Sequence, residues 1–246
     1  MQSYGQFCPV ARAAEVFGER WTPLLVRELL CGSTRFNDLR RGMPRISTTL
    51  LAQRLRKLEE IGVIEHVRAA GGAEYRLTAA GEELRPIVMA LGHWGARWVG
   101  SGLKRDELDV GLLMWDIRRF ARRELFPAER RIVVQFRFGD ARQGERSWWL
   151  VFEKGEVDLC RDDPGYEVTL IVESSVRALT EIWNGELPPE QALGRQQVRV
   201  LGSSRDARDV WRWLGVSVFA PTRREVLTSR GVTSAASGGQ RPRPQP

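Results

Sequence analysis

The sequence predicts an α+β protein made of two unlike parts, and three observations carry that expectation. Apolar residues recur at helical spacing through most of residues 9–99, interrupted by one pair of alternating segments around a Gly-Gly. Residues 132–172 instead alternate apolar and polar in the manner of strands. Charge is uneven too. Within an overall net charge of +7, Arg and Lys exceed the acids in residues 1–104 and 222–246, while the stretch between is slightly acidic.

Taken in order, residues 9–31 read as a helix broken near Gly18, with Val16, Trp21, Leu24, Leu25, Leu29 and Leu30 at helical spacing. Thr22 is expected to N-cap the second piece, Pro23 suits its first turn, and Gly32 ends it. Ser33 or Thr34 opens a short helix over 35–41 that Gly42 stops. Ser47 is a good cap for a longer helix through Leu50, Leu51, Leu55 and Leu58 to Glu60. Residues 63–69 and 74–78 alternate about Gly71-Gly72, a hairpin signal, with Val67, Tyr75 and Leu77 expected inward and Arg68 and Arg76 outward. Helix, short helix, turn, helix, hairpin is the order of a winged helix-turn-helix. A further helix follows from Thr78, carrying Leu84, Ile87, Val88, Leu91, Trp94 and Trp98, with Pro86 kinking it or marking its start. Gly100-Ser101-Gly102 is the expected linker, which sets a first domain at 1–104.

A second domain is expected over 112–220. Its pattern is a helix at 112–126, strands at 132–138, 147–152, 156–160 and 166–172, a helix at 175–183, a short strand at 198–201 and a closing helix at 206–214. Residues 222–246 lack apolar periodicity and are expected to form a disordered basic tail.

Composition excludes several classes. At 246 residues, with 42% hydrophobic and 28% charged, the chain can bury a core without staples. No apolar run approaches the roughly 20 residues of a membrane span, and no leader pattern opens the chain, so a cytoplasmic protein without a membrane partner is expected. Three cysteines and two histidines stand at no metal-ligand spacing, so no metal and no cofactor is expected. Residues 112–220 hold no histidine, Cys160 has no base near it in sequence, and Asp162-Asp163 sits beside a Pro-Gly turn. Nothing there suggests an enzyme.

The helix from Ser47 to Glu60 is the informative element. On a wheel of 100° per residue, Leu51, Leu55 and Leu58 share one face. Thr49, Gln53 and Arg56 fall opposite, flanked by Ala52 and Lys57. Such a helix can enter a major groove, where Arg and Gln reach base edges bidentately and Thr or Ala meets thymine methyls. Its N-terminal half reaches furthest, which selects Thr48, Thr49, Ala52, Gln53 and Arg56. Arg68 on the hairpin, and Arg35 and Arg45 beside the turn, are phosphate candidates. The plain alternative is an amphipathic surface helix and a solvated hairpin.

These residues also carry a resemblance. Cys8-Pro9-Val10-Ala11, Gly18-Glu19-Arg20-Trp21-Thr22, the run from Leu24 to Gly32, Arg35-Phe36-Asn37-Asp38-Leu39, Ile46-Ser47, the run from Leu51 to Glu59, Gly62, and the run from Glu74 to Gly81 resemble the HxlR family of bacterial transcription regulators. The likeness covers about residues 5–100. It implies a winged-helix homodimer on a pseudo-palindromic double-stranded DNA operator, dimerised through the N-terminal helix and the helix from Thr78 to Val99. The neutral wing tip, residues 69–73, departs from the family's basic, proline-containing one. Cys8 lies where some relatives carry a redox-sensing cysteine, with Arg12 one turn on; packing at a helix start is the plain reading.

The second part is rich in aromatics, which suits either a core or the lining of an apolar cavity. Its segments 148–157, 168–172, 179–187, 189–192 and 198–202 resemble the sterol carrier protein-like fold, where strands and helices enclose a tunnel for lipids or acyl chains. Phe136, Trp149 and Trp183 are the candidate ligand contacts. The expectation is a dimeric DNA-binding regulator whose C-terminal α+β domain senses a hydrophobic small molecule or lipid. Two alternatives stand beside it: a lipid-binding or transfer protein that uses the helix-turn-helix only to dimerise, and a regulator switched through the Cys8 thiol.

Overall fold

A computed structural model describes residues 3–69, 72–99, 102–127 and 129–236. The chain divides into two compact units, residues 1–92 and 93–246. That division falls inside a helix rather than at the expected Gly100-Ser101-Gly102 linker, of which Gly100 and Ser101 lie outside the described residues.

The first unit runs α1 (Pro9–Phe17), α2 (Thr22–Leu30), α3 (Phe36–Arg41), α4 (Thr48–Glu60), β1 (Ile64–Ala69), β2 (Gly72–Leu77), α5 (Ala79–Glu82) and the start of α6 (Arg85–Trp98), whose residues from His93 onward fall in the second unit. This is the winged helix-turn-helix order. Two caps differ from expectation. Trp21, not Thr22, occupies the N-cap of α2, in the left-handed region at φ 79°, and Thr22 is buried as the first helical residue. Neither Ser33 nor Thr34 caps α3. Ser33 donates its amide to the Glu28 carbonyl at 3.1 Å, and the Thr34 carbonyl accepts the Tyr75 amide at 2.8 Å, tying this turn to the wing. Arg35 takes the cap position without a side-chain bond.

Ser47 caps α4 as expected, its hydroxyl accepting the Leu50 amide at 3.2 Å. Leu51, Leu55 and Leu58 then face the core made with Leu25, Val26, Leu29, Leu39, Met43, Ile46, Ile64 and Val88. The opposite side of α4 stays in solvent. Arg54, on its flank, pairs with Glu19, and its Nε donates to the Arg20 carbonyl at 3.2 Å, which clamps α4 to the α1–α2 turn.

In the wing, Ile64 pairs with Leu77, His66 with Tyr75 and Arg68 with Ala73. Residues directly opposite share a face, so Arg68 lies on the side of Ile64, His66, Tyr75 and Leu77, and Val67 lies with Arg76. The expected grouping of Val67 with Tyr75 and Leu77 is therefore wrong; Arg68 and Arg76 are both exposed as expected, but on opposite faces of the hairpin. Register is a property of the pairing rather than of either strand, and one step of register exchanges the faces. Beyond the wing, the Thr78 hydroxyl donates to the Gly62 carbonyl at 2.6 Å and accepts the Gly81 amide at 3.3 Å. Pro86 marks the start of α6.

The second unit runs α7 (Val110–Phe120), a 3-10 turn at Arg123–Leu125, β3 (Ile132–Phe138), β4 (Ser147–Glu153), β5 (Glu156–Cys160), β6 (Leu170–Ser174), α8 (Val176–Trp183), α9 (Pro189–Gly194), β7 (Val198–Gly202), α10 (Ser204–Leu214) and α11 (Ala220–Ala236). The sheet order is β5-β4-β3-β6-β7, with β3 and β6 parallel and the other pairs antiparallel. Val134, Phe136, Leu150, Phe152, Leu170, Val172 and Val198 point to one face, against Met114 and Ile117 of α7, Leu179, Ile182 and Trp183 of α8, and Val210 and Trp213 of α10. Val133, Trp149 and Val151 point to the other, where Val168 packs on them.

Three expected spans change. The helix at 112–126 stops at Phe120 because the chain turns there, the Arg122 amide donating to the Trp213 carbonyl at 2.8 Å. Residues 166–169 are not strand: they pass over the outer sheet face, where the Arg131 guanidinium lies 3.8 Å from the Tyr166 ring centre. The tail expected to be disordered from 222 is helical to Ala236, while residues 237–246 lie outside the described residues. Its first turn is anchored by burial of Ala220, Thr222 and Arg223, which hydrophobic periodicity does not register.

Gly81 tests the join between wing and helices. A Cβ there would sit 2.2 Å from the Val63 carbonyl oxygen. Gly81→Ala is expected to lower stability in urea unfolding by about 1–3 kcal/mol, the usual cost of overpacking. An unchanged midpoint would contradict that contact.

Candidate nucleic-acid interface

Ser47 ends the turn after α3 in extended conformation and starts α4, so the first residues of α4 project from the helix end next to that turn. Thr48, Thr49, Gln53 and Arg56 are exposed and Ala52 is half-buried. Thr49, Gln53 and Arg56 thus share the solvent side of one 13-residue helix, with Ala52 on its flank, whereas Thr48 stands rotationally near Leu55 and is exposed because it is the first helical residue. Free amides at the helix start favour a phosphate close by.

The phosphate candidates are more dispersed. Arg35 is exposed at the start of α3, with its Nε 3.9 Å from a Glu74 carboxylate oxygen on the wing. Arg45 is exposed in the turn before α4, and Arg68 is exposed on β1. Arg76 pairs with Glu74 at 2.9 Å. Glu74 thus holds basic side chains of both the α3 start and the wing. His66 stacks on Tyr75, with ring centres 4.6 Å apart and planes within 8°. That platform beside Arg68 depends on cross-strand register, which no sequence pattern disclosed. Burial pushes the Tyr75 hydroxyl above its ordinary range, with the Glu59 carboxylate adding to the effect and Arg56 opposing it.

Along α6, Val88 enters the first core, while Ile87, Leu91, Trp94 and Trp98 stand 52%, 49%, 58% and 65% exposed. Their spacing makes one unbroken apolar stripe. Cys8 caps α1 and is half-buried, its carbonyl accepting the Arg12 amide at 3.2 Å.

The three ligand candidates of the second unit do not converge. Phe136 and Trp183 share the interior between sheet and helices, but Trp149 packs with Val133 and Val151 on the opposite face. The neighbours Trp148 and Trp149 must point to opposite sides of a strand, and it is Trp148 that joins the interior. Two clefts flank these regions. One, of about 60 Å³, is lined by Phe126, Phe152 and Val157 with Arg123 and Lys154 at its rim. The other, of about 440 Å³, is polar: it is lined by Arg130, paired with buried Asp206, and by Arg131, which bonds Glu153 at 2.9 Å. No helix among the described residues is long and apolar enough to cross a membrane.

Comparison with known proteins falls on the first unit. The profile of the HxlR-like helix-turn-helix family matches residues 16–102, which take in every element from α2 to α6. The chain is 34% identical over 112 residues to the uncharacterized HTH-type transcriptional regulator sll1512 of Synechocystis, covering 44% of this chain and 80% of that protein. It is 33% identical over 98 residues to the uncharacterized HTH-type transcriptional regulator YvaP of Bacillus subtilis, covering 38% and 91%. Among solved structures, the reduced form of the transcriptional regulator YodB from B. subtilis is 27% identical over 39% of this chain and all of that one, with a TM-score of 0.35. On the strength of these sequence matches and the element order, the chain belongs to the HxlR-like helix-turn-helix family.

Proposed function

We propose that this protein is a transcriptional regulator that binds a pseudo-palindromic operator as a homodimer. The observation that carries the reading is the division of α4 into a buried leucine side and an exposed side bearing Thr49, Gln53 and Arg56, with Ala52 on its flank and Thr48 exposed at the helix start. Gln53 and Arg56 supply bidentate donors for base edges, and Thr49 and Ala52 supply apolar contacts for thymine methyls. Arg35, Arg45 and Arg68 neutralise phosphates and fix the register of the protein on the duplex. The α6 stripe is the dimer face: four large apolar side chains on one helix face are a surface that association covers.

The second unit is read as a sterol carrier protein-like domain that senses an apolar ligand. In support, its helices cover one sheet face around an interior rich in aromatics, with Phe136 and Trp183 within it. Phe136 and Trp183 remain ligand contacts in this reading, and Trp149 drops out because it faces the other way.

Fluorescence-anisotropy titration against the gene's own upstream DNA, with random DNA as control, tests the first reading. Gln53→Ala and Arg56→Ala are expected to narrow the gap between the two DNAs by about 1–3 kcal/mol each. Arg68→Ala should weaken both DNAs alike and make the salt dependence shallower by about one unit of slope. Arg54→Ala should act through stability rather than through base preference, because Arg54 is held by Glu19 and the Arg20 carbonyl. Equal effects of all four changes on both DNAs would sink the assignment of the reading face.

Sedimentation equilibrium tests the dimer. The wild-type chain should sediment as a dimer, and Leu91→Glu should raise the dimer dissociation constant at least tenfold; a dimer indifferent to that change would place the interface elsewhere. Stoichiometric lipid extracted from a protein without DNA affinity would favour the carrier reading.

A further inference from the structure

Helix α11 follows the segment expected to close the second domain, yet its first turn buries Ala220, Thr222 and Arg223. Ala220 is fully buried against the turn after α8, where a Cβ on Gly185 would lie 2.7 Å from the Ala220 Cβ. The Ser217 amide donates to the Trp183 carbonyl at 2.9 Å just before the helix. Arg223, 4% exposed, donates from Nε to Glu186 at 3.2 Å and from Nη1 to the Ala96 carbonyl at 2.8 Å. One residue earlier, the Thr222 hydroxyl lies 2.7 Å from His93 Nδ1, and the His93 ring meets Phe219 edge-on.

Ala96 is in the last turn of α6, where helical carbonyls have no intrahelical donor. A buried guanidinium bonded there satisfies one of them and sits favourably at the negative end of the helix dipole. Its other contact is to Glu186, between α8 and α9, whose carboxyl is raised by burial against the opposing pull of Arg223. At 100° per residue, His93 and Ala96 lie on the side of α6 opposite Ile87, Leu91, Trp94 and Trp98. The grip therefore leaves the apolar stripe uncovered.

We propose that α11 is a strap, with Arg223 as its positioning residue, that locks the last turn of α6 to the α8–α9 turn within the second unit and so makes the Trp94 and Trp98 end of the stripe answer to the state of that unit. This deepens the regulator reading and rests on it: a ligand that shifts the end of α8, where Trp183 lies, would act on the stripe through Arg223 and Glu186. Without the strap, the last turn of α6 frays and the stripe loses the Trp94 and Trp98 end of its surface.

The test is Arg223→Met combined with Glu186→Leu in the full chain. Replacing both members of a buried pair by apolar groups of similar size avoids an unpaired charge, so the second unit stays folded. Amide hydrogen exchange should be at least tenfold faster over residues 94–99 and unchanged within twofold over α2 to α4. Measuring it also on the Leu91→Glu background keeps loss of the dimer from contributing. On the wild-type background the dimer dissociation constant should rise at least tenfold. Should the double variant unfold, Thr222→Val removes the His93 contact with a side chain of equal shape and should give the same exchange pattern at smaller amplitude. Unchanged exchange at 94–99 in the folded variants overturns the strap. A wild-type chain that is monomeric at all concentrations overturns the dimer reading instead, and the exchange arm still decides whether α11 holds α6.

Discussion

Burial of Leu51, Leu55 and Leu58 on one side of α4, none of them more than 2% exposed, fixes most of what the first unit presents to its surroundings. A helix has one rotation about its axis that seals this stripe, and that rotation delivers Thr49, Gln53 and Arg56 to the solvent side. Each buried leucine contributes about 1.5–3 kcal/mol relative to exposure, so turning the helix to bring Gln53 inward would cost several times what any surface contact could return. Ser47 sets where the helix begins, and Arg54 sets how it lies against the turn between α1 and α2. Rotation, start and tilt are three separate constraints, met by three separate kinds of interaction.

The second unit obeys the alternation of a strand rather than the rotation of a helix. Even-numbered residues of β3 and β4 go to the helices, and odd-numbered ones to the face crossed by residues 166–169. Adjacent tryptophans are then parted by the sheet itself. Trp148 donates its indole N–H to the Glu145 carbonyl at 2.9 Å, while the Trp149 Nε1 is buried without a hydrogen-bond partner among the described residues. Leaving such a donor unmet costs about 1–3 kcal/mol, which the apolar contacts with Val133 and Val151 offset. Trp149 is thus an element of packing for the outer face, and the aromatic interior belongs to the other set of residues.

Much of this was legible in the sequence, for reasons that can be named. The α4 helix, with its Ser47 cap and leucine stripe, was readable because every signal for it is local. The strands β3 and β5 emerge with the predicted limits, Ile132–Phe138 and Glu156–Cys160, because alternation is also local. The failures share a cause as well. Val67 does not join Tyr75 and Leu77 because register depends on how the two strands pair, not on either strand alone. Trp21 displaced Thr22 from the cap because the tight turn from Gly18 needs a left-handed residue there, which no preference of Trp foretells. Ser33 and Thr34 look like caps, but their backbone groups are taken by Glu28 and Tyr75, partners distant in sequence or reversed in direction. Of the proposed reading face, Thr49, Gln53 and Arg56 follow from helix periodicity and Thr48 from its place at the helix start, whereas the His66–Tyr75 stack exists only through pairing.

Helix α6 brings these two kinds of information together. Its sequence shows a single apolar periodicity from Ile87 to Trp98, and a helix apolar on one side is ordinarily read as packing that side inward. Here Val88 alone of the helix is buried among the first unit's core, and the larger stripe faces away. What completes the helix is polar and distant: the Arg223 guanidinium on the Ala96 carbonyl and the Thr222 hydroxyl on His93, more than a hundred residues along the chain. A helix held on its polar side by hydrogen bonds is free to spend its apolar side on association, because neither need competes with the other. That arrangement accounts for a basic, serine- and glycine-rich C-terminal segment carrying an ordered helix. Its order comes from the first turn alone, where Ala220 is buried, Thr222 meets His93, and Arg223 bonds the Glu186 carboxylate and the Ala96 carbonyl, and no hydrophobic pattern along the helix is required.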